Sequence, residues 1–438
     1  MDPMRLGLLA RQFAQRRLSR RAALVASGLG LTAFVGRDRL RPASARAQAA
    51  TPPAAGTPAA AGANLPPNVP AWMRVPGAPA SPYGERAPAE DSVLREVLDP
   101  GDSFAPLADL HGTLTPNALW YEVHYGGIPA IDPAEHRLMV HGMVERPTLF
   151  TMDDIKRFPS VSVVHFLECS GNSFSEWDKA TMGKTVAQTH GLTSCGEWTG
   201  VPLKTILNEV GLQPGGTWLL AEGADSVGHD RSIPTAKAMA DALLVYAVNG
   251  EALRPSQGFP LRLLLPGFEG NTNVKWLRRI EAGREPWQTR QEVSHYTDLM
   301  PDGTARQFTF VMEAKSVITA PSGGQRLGGP GFVDVTGLAW SGRGKITTVE
   351  ISTDGGATWQ AATLQEPVLP ISWTRFRFPW MWDGKAAQLQ SRAIDETGYV
   401  QPTRAQLVAV RGTHSFYHFN GIKTWAIAAT GEVSNVSA

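Results

Sequence analysis

Apolar and polar positions alternate along His136-Arg137-Leu138-Met139-Val140 and along Val161-Ser162-Val163-Val164-His165-Phe166-Leu167, a period of two that predicts strands. From Pro202 to Gly211 the apolar spacing is helical, with Pro near the start and Gly closing the run, which predicts a short helix. This mixture over residues 92–312 predicts an α+β domain. After about Glu313 the texture changes to short alternating runs broken by glycine. Thr348-Val349-Glu350-Ile351-Ser352, then Asp354-Gly355-Gly356, then Ala357-Thr358-Trp359 predict a strand, a hairpin turn and a second strand. Several such units over residues 313–438 predict an immunoglobulin-like β-sandwich, without the cysteine pair of antibody domains. No internal repeat is visible.

The chain has 438 residues, 42% hydrophobic and 18% charged, with 44 Gly and 33 Pro. It is long enough for two or three domains with their own cores and too often interrupted by turn residues for a helical bundle or coiled coil. At the N-terminus a basic stretch ends in Ser19-Arg20-Arg21, an apolar run follows from Ala22 to Val35, and Ala45-Arg46-Ala47 precedes Gln48. That order predicts an export signal over residues 1–47. The arginine pair directs the expectation to the twin-arginine route and the periplasm, an ordinary secretory signal being the alternative. The apolar run is shorter than the roughly 20 residues a bilayer requires, so no membrane anchor is expected after processing. Residues 48–91 are expected to form an Ala/Pro-rich linker. The formal charge of +1 conceals an asymmetry: the first 47 residues hold ten Arg and two Asp, and the rest carries 31 basic and 38 acidic residues, a net of −7. Nucleic acid is not an expected partner.

Three segments concentrate chemistry. In Phe166-Leu167-Glu168-Cys169-Ser170-Gly171-Asn172-Ser173 a thiol sits where a strand gives way to a small turn, a placement suited to a soft metal centre. A buried thiol and a Cys169–Cys195 bridge are the competing readings. The run from Gly258 through Arg262 to Asn271-Thr272-Asn273-Val274-Lys275-Trp276 joins an apolar strand to a Gly/Asn loop ending in a cation, which suits a phosphate-bearing ligand or a solvated loop. Glu222-Gly223-Ala224-Asp225 with His229-Asp230-Arg231-Ser232-Ile233-Pro234 gathers polar groups after an apolar strand, as loop caps also do. There is no HExxH and no CxxCH, so neither a zinc-protease site nor a covalently attached haem is expected.

Taken in order, Leu167-Glu168-Cys169-Ser170-Gly171-Asn172, Glu197-Trp198-Thr199-Gly200-Val201-Pro202-Leu203, Glu222-Gly223-Ala224-Asp225, Ser232-Ile233-Pro234, Val248-Asn249-Gly250-Glu251 and the Gly258 to Leu277 run resemble the motifs of the sulfite oxidase family of molybdenum enzymes. The resemblance covers about Trp120 to Trp425. It implies a molybdopterin-binding catalytic domain followed by a dimerisation-type sandwich, and a molybdenum-molybdopterin cofactor. It further implies that Cys169 is the metal's protein thiolate and that His124, Asp225, Arg262, Asn273, Val274 and Lys275 contact the pterin. By the same resemblance Tyr296 is the active-site tyrosine; Arg231 and His229 are weaker catalytic candidates, expected to act from behind it.

Departures from the family pattern modify this expectation. Glu122, Phe174 and Ala426 or Ile427 stand at or near places where the family has substrate-binding arginines, and Gln257 replaces a histidine. A small dianion needs charge-assisted forks, so free sulfite is not the expected substrate unless Arg290 or Arg278 compensates. Within the family this pattern resembles the catalytic subunits of sulfane dehydrogenases. Their substrate is sulfur held on a sulfur carrier protein, and their electrons leave through a c-type cytochrome subunit. A homodimer or hetero-oligomer is implied. A periplasmic sulfite dehydrogenase and a non-catalytic immunoglobulin-like interaction protein are the alternatives.

Overall fold

The computed structural model describes residues 69–99, 101–177 and 183–436. The expected signal at 1–47 and the first part of the expected linker lie outside these residues. Residues 69–84 belong to one unit, where Ala71–Arg74 forms a 3-10 turn; Glu85 onward forms another.

In the second unit the α+β expectation is met by two five-stranded sheets. One places Glu251–Ala252, Leu243–Val248, Thr193–Pro202 and Val161–Glu168 side by side, with Arg262–Leu264 also pairing to Leu243–Val248. The other orders Thr148–Thr151, Arg137–Gly142, Leu277–Gly283, Trp218–Gly223 and Asp230–Pro234; its only parallel pair is Leu277–Gly283 with Arg137–Gly142. The predicted helix spans Leu203–Glu209 after Pro202 as N-cap. Leu203, Ile206 and Leu207 bury one face against Leu138, Leu219, Leu244 and Leu263, each worth about 1.5–3 kcal/mol.

From Lys315 two antiparallel sheets form the expected sandwich. The four-stranded one orders Lys315–Ala320, Gly331–Trp340, Thr374–Trp382 and Thr363–Leu364. The five-stranded one orders Gln360–Ala361, Ile346–Ser352, Ala387–Asp395, Thr424–Ile427 and Val433–Val436. Val317, Leu338, Trp340, Val349, Phe376, Leu389 and Trp425 fill the space between, and their cluster continues through Phe166 and Cys195 of the first sheet. The hairpin differs from expectation by a step. Asp354 accepts the Thr358 N–H and hydroxyl, so residues 357–359 complete the turn and pairing begins at Gln360. The helix Arg404–Arg411 interrupts the strands, started by the Thr403 and Gln406 capping box.

The sandwich and the catalytic region meet where Gly267 and Gly342 pass at backbone distance: a Cβ on Gly267, at φ +76°, would stand 2.3 Å from the Gly342 carbonyl. Only glycine is accommodated there.

Candidate active site

Strand Val161–Glu168 ends at the Cys169 turn, whose geometry is fixed by Cys169 N–H donating to the Leu192 carbonyl at 2.9 Å and Asn172 N–H to the Cys169 carbonyl at 2.8 Å. Cys169 faces a cavity together with His124, Tyr125, Asp225, His229, Arg262, Asn273, Lys275 and Tyr296, so residues spread over more than 170 positions converge on one space. Both cysteines are free thiols, which removes the bridge. Cys195 is wholly buried in the core, with Sγ 3.4 Å from the Ser372 hydroxyl.

Burial pushes the Cys169 thiol up to about 12, and Asp102, Glu168 and Glu269 push the same way. A cysteine built as a nucleophile has a cation beside it to lower its pKa; this one has the opposite surroundings. A coordinating metal deprotonates a thiol outright, and this chemistry suits Cys169.

The other wall is cationic. Arg262 donates Nη1 to the Gln257 carbonyl at 3.0 Å, and burial lowers it to about 10. Lys275 is lowered well below its usual value by burial and by Arg262; its Nζ reaches His124 Nδ1 at 2.6 Å and the Val123 carbonyl at 3.1 Å. Burial lowers the His124 imidazole; Nδ1 accepts from the Lys275 amine, which leaves Nε2 to donate to Glu122 at 3.2 Å. Burial raises the Glu122 carboxyl, but hydrogen bonds from His124 and Ser256 and the Arg95 ion pair outweigh it and hold it at about 2. Glu122 is thus already paired, with Arg95 and His124.

Three buried polar atoms of residues in this wall have no protein partner: Arg262 Nε, Asn271 Oδ1 and His229 Nδ1. One donor beside two cationic groups and two acceptors call for a ligand with an anionic end and N–H donors, and a phosphorylated pterin has both. The residues fit the group. Arg262 and Lys275 would meet the phosphate end, with His124 setting the place of the lysine. Asp225, which caps the His229 N–H at 2.8 Å, and His229, lowered to about 4 by burial, would meet the ring.

Two expected residues are placed differently. Val274 turns its side chain into the core and its carbonyl to Leu263 N–H. Asn273 lines the cavity, but its amide is spent on the Leu265 N–H and the Phe268 and Glu269 carbonyls. Arg231 is a correction. It does not line the cavity but lies fully buried behind it, with Nε on Glu292 at 3.0 Å and Nη2 on Glu269 at 3.1 Å. Its guanidinium stacks 4.7 Å from the Tyr296 ring centre, and Nη1 has no protein acceptor. It touches the site through Tyr296.

Aromatic groups gather around Tyr296 and near the Cys169 turn. Tyr296 shares a 2.6 Å hydrogen bond with Tyr125; burial, then Tyr125, holds its phenol well above the usual value. Tyr417 lies 5.3 Å from Tyr296, and Phe174 stacks on Phe416 at 5.0 Å. Phe416 reaches the Cys169 turn so closely that a Cβ on Gly171 would stand 3.3 Å from its ring. Ala426 and Ile427 are elsewhere, in the ladder with Gln388 and Ala387. Arg278 pairs with Glu222, Arg290 is exposed, and neither lines the cavity. Sequence reading missed Tyr125, Phe416 and Tyr417; the run Phe416-Tyr417-His418 between Gly412 and Gly421 was the available signal.

Residues 125–291 match the family described as oxidoreductase molybdopterin binding domain, and 306–424 the Mo-co oxidoreductase dimerisation domain. Over 319 residues the chain is 33% identical to the mitochondrial sulfite oxidase of Drosophila melanogaster, covering 66% of this chain and 55% of that protein. Over 318 residues it is 30% identical to the sulfite oxidase of Gallus gallus, covering 66% and 68%. The chain thus spans 55–60% of the length of the Drosophila and mouse enzymes. Among solved structures it is similar to the sulfane dehydrogenase SoxCD of Paracoccus pantotrophus, at 43% identity and a TM-score of 0.82 over 85% of this chain and 98% of that one. Family models matched over both domains, with 30% identity to a sulfite oxidase covered to 68%, mean that the chain belongs to the sulfite oxidase family of molybdenum enzymes and takes a molybdenum-molybdopterin cofactor.

Proposed function

We propose that this protein is the catalytic subunit of a periplasmic sulfane dehydrogenase: it oxidises sulfane sulfur bound to a carrier protein and passes the electrons to a c-type cytochrome. The observation that carries this reading lies at the Cys169 turn. Phe174 and Phe416 stack beside the Cys169 turn, where a site for a free dianion needs cationic forks. The similarity to a sulfane dehydrogenase supports the same substrate class.

The bound cofactor supplies the oxygen-atom transfer to sulfur and takes up the electron pair. The chain's part is to hold, orient and exclude water. Cys169 provides the protein thiolate. Arg262 and Lys275 would hold the anionic end of the cofactor, Lys275 being steadied by His124, while Tyr296, aligned by Tyr125 and the Arg231 guanidinium, would present a hydroxyl to the substrate. Recognition then falls to surfaces around the cavity, where binding energy positions the sulfur.

The test is steady-state turnover with cytochrome c as acceptor, comparing free sulfite with a persulfide-loaded carrier. Turnover of the carrier and weak use of sulfite is the expected result. Efficient oxidation of micromolar free sulfite without a carrier rejects the reading in favour of a sulfite dehydrogenase. For location, replacing Arg20 and Arg21 by Lys is expected to leave folded, molybdenum-loaded precursor in the cytoplasm. Normal periplasmic accumulation of that variant would remove the twin-arginine assignment.

A further inference from the structure

Neighbouring residues on a strand face opposite ways, and this has a particular outcome at the end of Val161–Glu168. Leu167 and Cys169 face the cavity. Glu168, fully buried, faces the sandwich. There two donors meet its carboxylate: Lys315 Nζ reaches Oε1 at 2.9 Å and Trp340 Nε1 reaches Oε2 at 2.7 Å. Lys315 and Trp340 are direct cross-strand partners in the four-stranded sheet and are almost wholly buried, so the ladder itself sets the spacing of the two donors.

The third bond returns to the cysteine turn. Asn172 Nδ2 donates to Glu168 Oε1 at 2.9 Å, its Oδ1 accepts the Leu192 N–H at 3.1 Å, and Lys315 Nζ also reaches the Asn172 carbonyl at 3.4 Å. Both ends of the Cys169–Asn172 turn are therefore tied to one carboxylate, and that carboxylate to the other domain. A buried ion pair is a poor source of stability, because desolvation consumes most of its attraction. What it supplies is direction, which apolar packing fixes less tightly.

We propose that Glu168, Lys315 and Trp340 form a clamp that aims the Cys169 sulfur at the metal, so that the sandwich domain is a working part of the metal site in addition to any role in assembly. This rests on Cys169 being the metal's thiolate. The three are positioning residues, since they touch neither substrate nor cofactor and act through the turn.

The test uses the full-length protein carrying Glu168→Gln, Lys315→Met or both. Thermal unfolding, molybdenum retained after chelator challenge and the sulfur-to-metal charge-transfer absorption are measured for each. Lys315→Met alone is expected to lower stability by leaving a buried carboxylate unpaired. The double variant removes both charges and is expected to recover stability, yet to lose molybdenum about 10- to 100-fold more readily and to shift the absorption. A double variant with wild-type retention and absorption overturns the proposal. If the double variant does not fold, Trp340→Phe decides: it removes one N–H donor and keeps the ring. A shifted absorption at near-native stability supports the clamp, and an unmoved one overturns it. Cys169→Ser serves as the control, because an absorption that survives it refutes the thiolate assignment itself, whatever the clamp variants do.

Discussion

Replacing Arg262 by Met separates the demands of the fold from those of the cofactor. In the cofactor-free protein Arg262 is buried with no carboxylate bonded to it, and the fall of its guanidinium from the ordinary arginine value to about 10 corresponds to ~3 kcal/mol against the charged form. Substitution forfeits the bond to the Gln257 carbonyl at 3.0 Å and the stack 5.4 Å above Trp198, together about 1–2 kcal/mol. The expected net effect on the cofactor-free chain is no loss of stability and a gain of up to about 2 kcal/mol. With cofactor the sign reverses. The phosphate loses a charge-assisted partner worth about 1.5–3 kcal/mol, which weakens retention roughly ten- to hundredfold. Urea unfolding of protein produced with and without molybdopterin, together with the molybdenum content of each variant, measures both effects. A cofactor-free Arg262→Met protein destabilised by more than about 2 kcal/mol, with unchanged metal retention, would refute the argument and make Arg262 a structural cation.

Cys169→Ser is expected to abolish the sulfur-to-metal absorption and nearly all turnover, whereas Cys195→Ala, confined to the core beside Ser372, keeps both; loss of the absorption in the Cys195 variant alone would reverse the assignment. Phe174→Arg breaks the stack on Phe416 and is expected to raise free-sulfite turnover while slowing the carrier-bound reaction, so a variant with sulfite kinetics unchanged counts against the proposed substrate class. Burial raises the Glu269 carboxyl, but Arg231 and then His418 outweigh it and hold it at about 2. Its folded value lies below the unfolded one, so its contribution is complete above about pH 4.5 and is lost as pH falls towards 2. Urea unfolding across that range should show a shallower dependence in Glu269→Gln, and an unchanged slope would mean that other carboxylates carry the acid sensitivity.

The parts of this molecule legible in its sequence are those written in consecutive residues. The Cys169 turn and the segment from Arg262 to Lys275 each carry their chemistry locally, and period-two alternation placed the strands that deliver them. The fate of a charge was not legible. Arg231 reads as a free cation until the fold brings Glu269 and Glu292, 38 and 61 positions away, against it. The expectation at positions 426 and 427 failed for a related reason. Ala426 and Ile427 were expected near the pocket by position along the chain, but they lie in a strand committed to the sandwich. The aromatic group that reaches the site comes from the loop before it, 242 positions from its stacking partner Phe174. The missed helix at Arg404 had a local signature, Thr403 three residues before Gln406, set among strand-like neighbours.

The loop carrying Phe416 and Tyr417 is fastened at its flanks rather than at its tip. Ser415 donates to Asp298 at 2.7 Å, and His418 N–H to the Ser170 carbonyl at 2.7 Å, while Phe416 between them stays half exposed. None of the cofactor-facing side chains belongs to this stretch. On the proposed reading, the half of the aromatic stack that Phe416 supplies is therefore encoded apart from the cofactor-facing residues, while Phe174 lies five residues from Cys169. An engineer testing the proposed substrate class thus has two positions, 416 and 417, that can be changed without touching a residue that lines the cavity.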